Sequence, residues 1–410
     1  MLQFLGLCQE IPVSNQEAGK TEPSRLPATV KVLGWASLLN DSASEMVYAL
    51  LPHFLLQFLA GNRFLLGLIE GCADATASLL KIWMGHVADR GGSRKAFIVL
   101  GYSVPALARP LIGLATLPWH LFAVRITDRV GKGIRTPPRD AMIADTTAPE
   151  LRGRAFGFHR GMDNLGAAVG PLIAAVFLAL WPDHLRSLFL LTLIPGILVV
   201  ALLAFRLPDR RGPVVVRVVD EGASQPGYSA GFFRYMMALM LFTLGNSSDA
   251  FLLVRASEVG VPVTHLPLLW CACHITKSGG NFLLGRLIDH WGARRLLPFA
   301  WSGFALVYGG FALAESAWHA WALFLASGMV MGLVEPTERT LVGHLVGKGR
   351  RGMGYAWYSF TSGIAALPAS LVCGLLYQSS GPMAAFAYGS CLAVLAVLIL
   401  ITVPTPGTEA

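Results

Sequence analysis

The chain has 410 residues, of which 54% are apolar and only 14% charged, and its mean hydropathy is +0.57. This composition excludes an ordinary soluble domain and a disordered polymer. The net charge of +8 is concentrated at the ends of apolar segments, as a membrane topology requires, so it does not indicate nucleic-acid binding.

A membrane helix needs about 20 mostly apolar residues, so twelve with short connections fill roughly 300 positions. The first six apolar runs cover residues 32–60, 64–88, 95–116, 119–145, 155–181 and 187–206. The second six cover 232–256, 263–288, 296–314, 319–346, 353–378 and 383–403. This predicts an all-α membrane protein of twelve transmembrane helices in two six-helix halves. Residues 1–31 form an N-terminal segment, 32–206 one bundle, 207–231 a linker, 232–403 a second bundle and 404–410 a tail. The start, Met1 to Lys20, lacks the basic-then-apolar shape of a signal peptide. The six cysteines lack CxxC spacing and read as small buried hydrophobes. The ten histidines are scattered, so neither a metal site nor a cofactor is expected.

One set of connections carries Arg90, Arg94 and Lys95, Arg152 and Arg154, Arg206 to Arg217, Arg294 and Arg295, then Lys348, Arg350 and Arg351. The other set has Arg63, Arg186 and Arg255. Basic loops remain in the cytoplasm, which places both termini there and makes the helix count even.

The chain also repeats itself at an offset of about 200 residues. Gly85-His-Val-Ala-Asp89-Arg-Gly-Gly-Ser-Arg94-Lys95 aligns with Gly285-Arg-Leu-Ile-Asp289-His-Trp-Gly-Ala-Arg294-Arg295, and Arg139 with Arg339. Asn40-Asp41 in the first helix finds a counterpart in Asn246-Ser-Ser-Asp249 in the seventh. Two parallel repeats of this kind are an organisation found in transporters that rock about a central site.

Ionisable groups inside a bilayer are costly, so they turn toward the bundle interior or toward water. At 100° per residue, Asn40, Asp41, Ser44, Glu45 and Tyr48 share about 140° of arc on the first helix. Glu70, Asp74, Ser78 and Lys81 share about 80° on the second, and Arg125, Asp128, Arg129, Lys132, Thr136 and Arg139 about 100° on the fourth. Arg109 joins them from the third helix, and Arg160, Asp163 and Asn164 from the fifth. Acids and bases nearly balance, so much of this charge can pair internally.

Proton coupling calls for a carboxylate that desolvation keeps close to titration. Asp41, Glu45 and Glu70 have suitable positions, although each could equally be a permanently ionised partner of Arg109 or Arg125. His274, 200 residues from Asp74, is either a pathway residue or a packing histidine. Asn40, Tyr48, Asp74, Lys81, Arg109, Asp128, Arg129, Asn246 and Asp249 complete the candidate solute pathway. Glu335-Pro-Thr-Glu338-Arg339 predicts a bent tenth helix with a local ion pair.

Several of these segments together resemble the major facilitator superfamily, in particular its drug:proton antiporter-like branch. Gly85-x3-Asp89-Arg90-x-Gly92-x-Arg94-Lys95 is similar to the family's loop between helices two and three. Arg125-x5-Gly131-x-Gly133-x3-Pro137 resembles its helix-four motif. Gly157-x8-Gly166-x3-Gly170-Pro171 resembles the antiporter motif of helix five, with Ala174 and Ala175 replacing the closing glycine pair. Tyr48-x-Leu-Leu-Pro52 resembles the end of helix one in drug:proton antiporters.

The resemblance implies that Arg125 lies near a proton site. It also implies that Asp89, Arg90, Arg94, Asp289 and Arg294 form a cytoplasmic gate, the acid meeting the positive end of helix eleven. Asp128 and Arg129 stand where drug exporters carry Gln and Gly, which points to a polar solute. The expectation is therefore a secondary transporter in a bacterial inner membrane, acting as a monomer. It would most readily export a small anionic or zwitterionic solute in exchange for protons. Uptake of an organic acid or metal-siderophore-type chelate is the alternative, and a non-transporting receptor a more distant one. No phosphate-binding loop, nucleophile elbow or zinc pattern indicates an enzyme.

Overall fold

The computed structural model describes residues 26–89, 93–148, 151–209, 228–346 and 351–403. These residues are mostly helical, with no β-strand among them. The first helix, α1, runs Ala28–Tyr48 and continues through Leu51–His53 into a π-helical turn, Phe54–Phe58. It is followed by α2 (Arg63–Asp89), α3 (Arg94–Ala108, closed by the 3-10 turn Arg109–Leu114), α4 (Pro118–Thr146) and α5 (Arg152–Leu180). The sixth, α6, comprises Leu185–Leu191 and Leu193–Arg206.

Beyond residue 228 come α7 (Ala230–Gly245 and Ala250–Glu258), α8 (Leu266–Trp291), α9 (Ala293–Ala312) and α10 (Ala317–Val346). The last stretch, Arg351–Ile401, is interrupted at Gly381, where φ is 85° and ψ 178°. An L side chain is strained at that φ, so glycine lets the chain turn there between α11 (351–380) and α12 (382–401).

Local chemistry sets several of these boundaries. Ser93 and Ser229 cap α3 and α7, their hydroxyls accepting from Ala96 N and Phe232 N at 3.2 Å. Pro118 opens α4 at a position where a missing N–H costs nothing. A continuous seventh helix over 232–256 does not form, because the chain leaves the helix between Gly245 and Ala250. Ser and Asn side chains compete for backbone groups there, and Ser248 Oγ accepts from Ala250 N at 3.3 Å. The apolar run 187–206 likewise divides at Thr192, whose hydroxyl donates to Phe189 O at 2.6 Å.

Helix pairing recurs with an offset of six. The α1–α5 and α1–α6 contacts are matched by α7 against α11 and α12, α2–α4 by α8–α10, and α3–α4 by α9–α10. Two further pairs, α2–α11 and α5–α8, join the first six helices to the last six. Both joints are close. A Cβ on Gly67 would lie 2.2 Å from Ser370 O, and one on Gly374 would lie 2.6 Å from Arg63 O. Small residues permit such backbone approach.

Among the described residues, six stretches are long and apolar enough to cross a membrane: Arg94–Leu114, Arg154–Leu180, Leu185–Arg206, Ala230–Glu258, Ala317–Val346 and Gly354–Ile401. Among the others, α4 carries Arg125, Asp128, Arg129 and Lys132 within eight residues, and this charge lowers its hydropathy.

Candidate functional site

A cavity of about 520 Å³ lies between α1, α5, α8 and α10, and so between the first six helices and the last six. Asp41 and Glu45 line it from α1, Arg160, Asp163 and Asn164 from α5, His274 and Lys277 from α8, and Glu335 and Arg339 from α10. The Arg160 and Arg339 side chains are 63% and 49% exposed. They lie toward the ends of α5 and α10 that meet the basic connections.

Polar contacts order the α1 wall. Asn40 Nδ2 donates to Asp41 Oδ1 at 2.8 Å, the Ser37 hydroxyl donates to Asp163, and Trp270 Nε1 on α8 donates to Glu45 Oε2 at 2.8 Å. Trp270 also packs 5.1 Å from the Tyr48 ring and 4.8 Å from His274. The facing wall centres on Glu335, reached by Arg339 at 3.2 Å, Arg160 at 3.8 Å and Lys277 at 3.9 Å. The ion pair expected on α10 thus forms with Glu335.

The other charges of the first six helices have a different setting. Arg125 grips Glu70 through two hydrogen bonds, Nε to Oε1 at 2.9 Å and Nη2 to Oε2 at 2.7 Å. The two residues are 4% and 2% exposed. Arg109 Nε bonds Asp128 Oδ1 at 2.6 Å, and its Nη1 donates to Asn40 O at 3.0 Å. Arg129 lies 3.8 Å from Asp74. Lys81 is partly buried and forms no ion pair among the described residues. The structure therefore places Asp41, Glu45 and His274 on the cavity, and sets Glu70, Arg125, Arg109 and Asp128 in closed pairs behind it.

Asn246 and Asp249 flank the break in α7. The Tyr48 hydroxyl is 3.3 Å from Ser248 Oγ across the two halves of the chain, and Ser248 N donates to Ser370 Oγ at 3.3 Å. Past this level, side chains bridge the two halves at the far end. Arg63 reaches Glu258 through Nη2 at 2.5 Å and Gln378 through its backbone N at 3.2 Å, and Tyr377 donates to Glu258 at 2.6 Å.

At the basic end, Arg94 is buried and pairs with Asp145, while Lys95 Nζ donates to Ala204 O at 2.8 Å. Arg90 and the side chains of Asp89 and Asp289 lie outside the described residues, as do those of 351–353 where the partner helix begins. Arg294 stands at the start of α9, its Nη1 buried without a hydrogen-bond partner among the described residues.

The helix-five motif serves two purposes. A Cβ on Gly166 would lie 2.5 Å from Leu38 O, and one on Gly170 would lie 2.3 Å from Ser42 O, so α5 meets α1 backbone to backbone just before Pro171. Gly157 has open space around its Cα and lines the cavity.

The sequence did not single out Trp270 as the partner of Glu45. Its signal is the internal repeat, because Trp270 lies about 200 positions from Glu70 just as His274 does from Asp74. Asp163, Lys277 and Glu335 stood out as charged, yet only packing shows that they share one cavity.

The sequence profile of the Major Facilitator Superfamily matches residues 33–370 and, in a second alignment, 229–410. An uncharacterised MFS-type transporter of Methanocaldococcus jannaschii is 28% identical over 402 residues, covering 96% of this chain and all of that protein. The multidrug resistance protein MdtH of Photorhabdus laumondii is 30% identical over 196 residues, 47% of each chain. The fold is similar to that of the nucleoside transporter NupG, with a TM-score of 0.76 at 12% identity, over 92% of this chain and 99% of that one. The chain belongs to the Major Facilitator Superfamily: it is a membrane-embedded, multi-pass transporter of small molecules rather than an enzyme.

Proposed function

We propose that this protein is a proton-coupled exporter of a small anionic or zwitterionic solute, working by alternating access in a bacterial inner membrane. In this reading all twelve helices span the bilayer. The halves 32–206 and 232–403 rock about the cavity as a monomer, and the linker 207–231 and both termini are cytoplasmic. One observation carries it: a single cavity brings the Asp41 and Glu45 carboxylates of α1 together with the Lys277 and Arg339 cations of α8 and α10. A solute bearing both charges finds a partner on each wall, and its arrival displaces protons or ion pairs already there. The partial similarity to MdtH supports export as the direction.

Alternating access requires one end to close while the other opens. The Arg63–Glu258–Tyr377 cluster supports closure at the end away from the basic connections. The exposed Arg160 and Arg339 support access from the cytoplasmic end.

Inside-out membrane vesicles, given a proton gradient and a panel of radiolabelled amino acids and dicarboxylates, test the reading. The wild type is expected to accumulate a solute from the panel only while the gradient is maintained. Asp41→Asn or Glu45→Gln is expected to abolish that flux while leaving solute exchange partly intact. Undiminished gradient-driven flux in both variants removes the assignment. Flux of the opposite sign converts the exporter into an uptake symporter.

A further inference from the structure

Among the acids of the later helices that do not line the cavity, Glu338 has an unusual setting. Glu338 on α10 is 5% exposed. One carboxyl oxygen accepts from Trp301 Nε1 on α9 at 2.9 Å, and the other lies 2.8 Å from the Tyr358 hydroxyl on α11. The Tyr235 hydroxyl on α7 donates to the Glu338 main-chain carbonyl at 3.3 Å. The charged groups beside it are Glu335 and Arg339 on its own helix, and the titratable groups facing it from α7 and α11 are Tyr235 and Tyr358. From α9 the described contact is the indole. Arg339 is bonded to Glu335 and sits 5.9 Å over the Tyr358 ring, so among the described residues no ion pair reaches Glu338.

The surroundings are otherwise aromatic. Phe242 stacks on Trp301 with ring centroids 4.5 Å apart, and Phe304 lies 4.9 Å from Phe242. Glu70, equally buried, has a bidentate arginine; Glu338 has two neutral donors. An unpaired charge removed from water is costly, and neutral hydrogen bonds offset only part of that cost.

The Tyr358 contact suits either form of the acid. A phenol hydroxyl both donates and accepts. It can donate to a carboxylate and accept from a carboxylic acid without moving, while Trp301 serves the other oxygen in both cases. The Tyr358 ring also lies 5.9 Å from the guanidinium of Arg339, which lines the cavity. Tyr358 is itself only partly buried, so its hydroxyl links the buried acid to a more accessible position.

We propose that Glu338 is a proton-binding site of the later six helices, distinct from Asp41 and Glu45 and exchanging its proton by way of Tyr358. The site stands on its own geometry. What the proton is used for rests on the proton-coupled reading above.

Infrared difference titration of the purified full-length protein in lipid vesicles tests it, with pH as the perturbation and deuterium exchange to mark acids. The wild type is expected to show a carboxylic-acid C=O band that disappears as pH rises. Glu338→Gln is expected to remove one carboxyl equivalent of that band, and the Asp41→Asn/Glu45→Gln double variant to retain it. Tyr358→Phe should shift both its frequency and its titration midpoint, which provides a readout if Glu338→Gln does not fold. Full retention of the band in Glu338→Gln overturns the site, as does a wild-type spectrum whose titrating bands are all unmoved in Tyr358→Phe. Transport is scored separately: a Glu338 band with flux indifferent to pH keeps the site and removes coupling, while intact proton-driven flux without the band does the reverse.

Discussion

The first six helices and the last six share a packing plan and fill it with different chemistry. Between α2, α3 and α4 the interior is ionic, built from Glu70–Arg125 and Arg109–Asp128. Between α7, α9 and α12 it is aromatic, where Phe242, Trp301, Phe304, Tyr308 and Phe386 form a continuous set of ring contacts. Helix packing therefore does not dictate what fills the space between helices. One interior is held by directional bonds that fail if a partner is lost, and the other by shape and area that tolerate a polar group only if it is well bonded.

The sharpest way to break this comparison is to remove one member of an ionic pair. Glu70→Ala leaves the Arg125 guanidinium buried and uncompensated, and is expected to cost about 3–5 kcal/mol in detergent–SDS unfolding equilibria. Replacing both residues with Leu and Met is expected to recover most of that loss. If the single variant is as stable as wild type, water reaches the pair and the interior is not the dry ionic core described.

In the aromatic interior, Trp301→Ala removes a fully buried ring and one donor to Glu338, and is expected to cost about 3 kcal/mol, the cavity term for a large aromatic, in the same assay. Here a second substitution at Glu338 should restore at most the cost of the lost hydrogen bond, about 1 kcal/mol, because most of the loss is volume. Fuller recovery by a partner change would erase the distinction between the halves.

A smaller effect separates the two uses of the helix-five glycines. Gly170→Ala forces a methyl to within 2.3 Å of Ser42 O, so α1 and α5 must separate, at an expected cost of about 1–3 kcal/mol. Gly157→Ala enters open space and should stay within about 0.5 kcal/mol, showing its effect in flux rather than in unfolding.

The sequence disclosed the helices more fully than the site. Apolar runs and basic loop ends located the segments within a few residues, because burial in lipid imposes one strong requirement on each of them. The break at Asn246–Asp249 was hidden inside a run that is apolar overall, since it depends on Ser248 and its contacts from α1 and α11. For the site, helical periodicity grouped Asp41 with Glu45, which line one cavity, yet it could not separate them from Glu70. All three lie on polar faces, and only the positions of Arg125 and Trp270 on other helices decide that one is paired and another borders the cavity. The helix-five motif was visible as a motif, while its division into a seam and an open edge required the position of α1.

The seam formed by Gly166 and Gly170 has a further consequence. With backbones in contact and Ser37 bonded to Asp163, α1 and α5 form one slab, and under the proposed alternating access a tilt of that slab carries Asp41, Glu45 and Asp163 together. On that proposal their mutual spacing stays constant through the cycle, and the indole link from Trp270 to Glu45 is the tether that has to let go each time the slab swings.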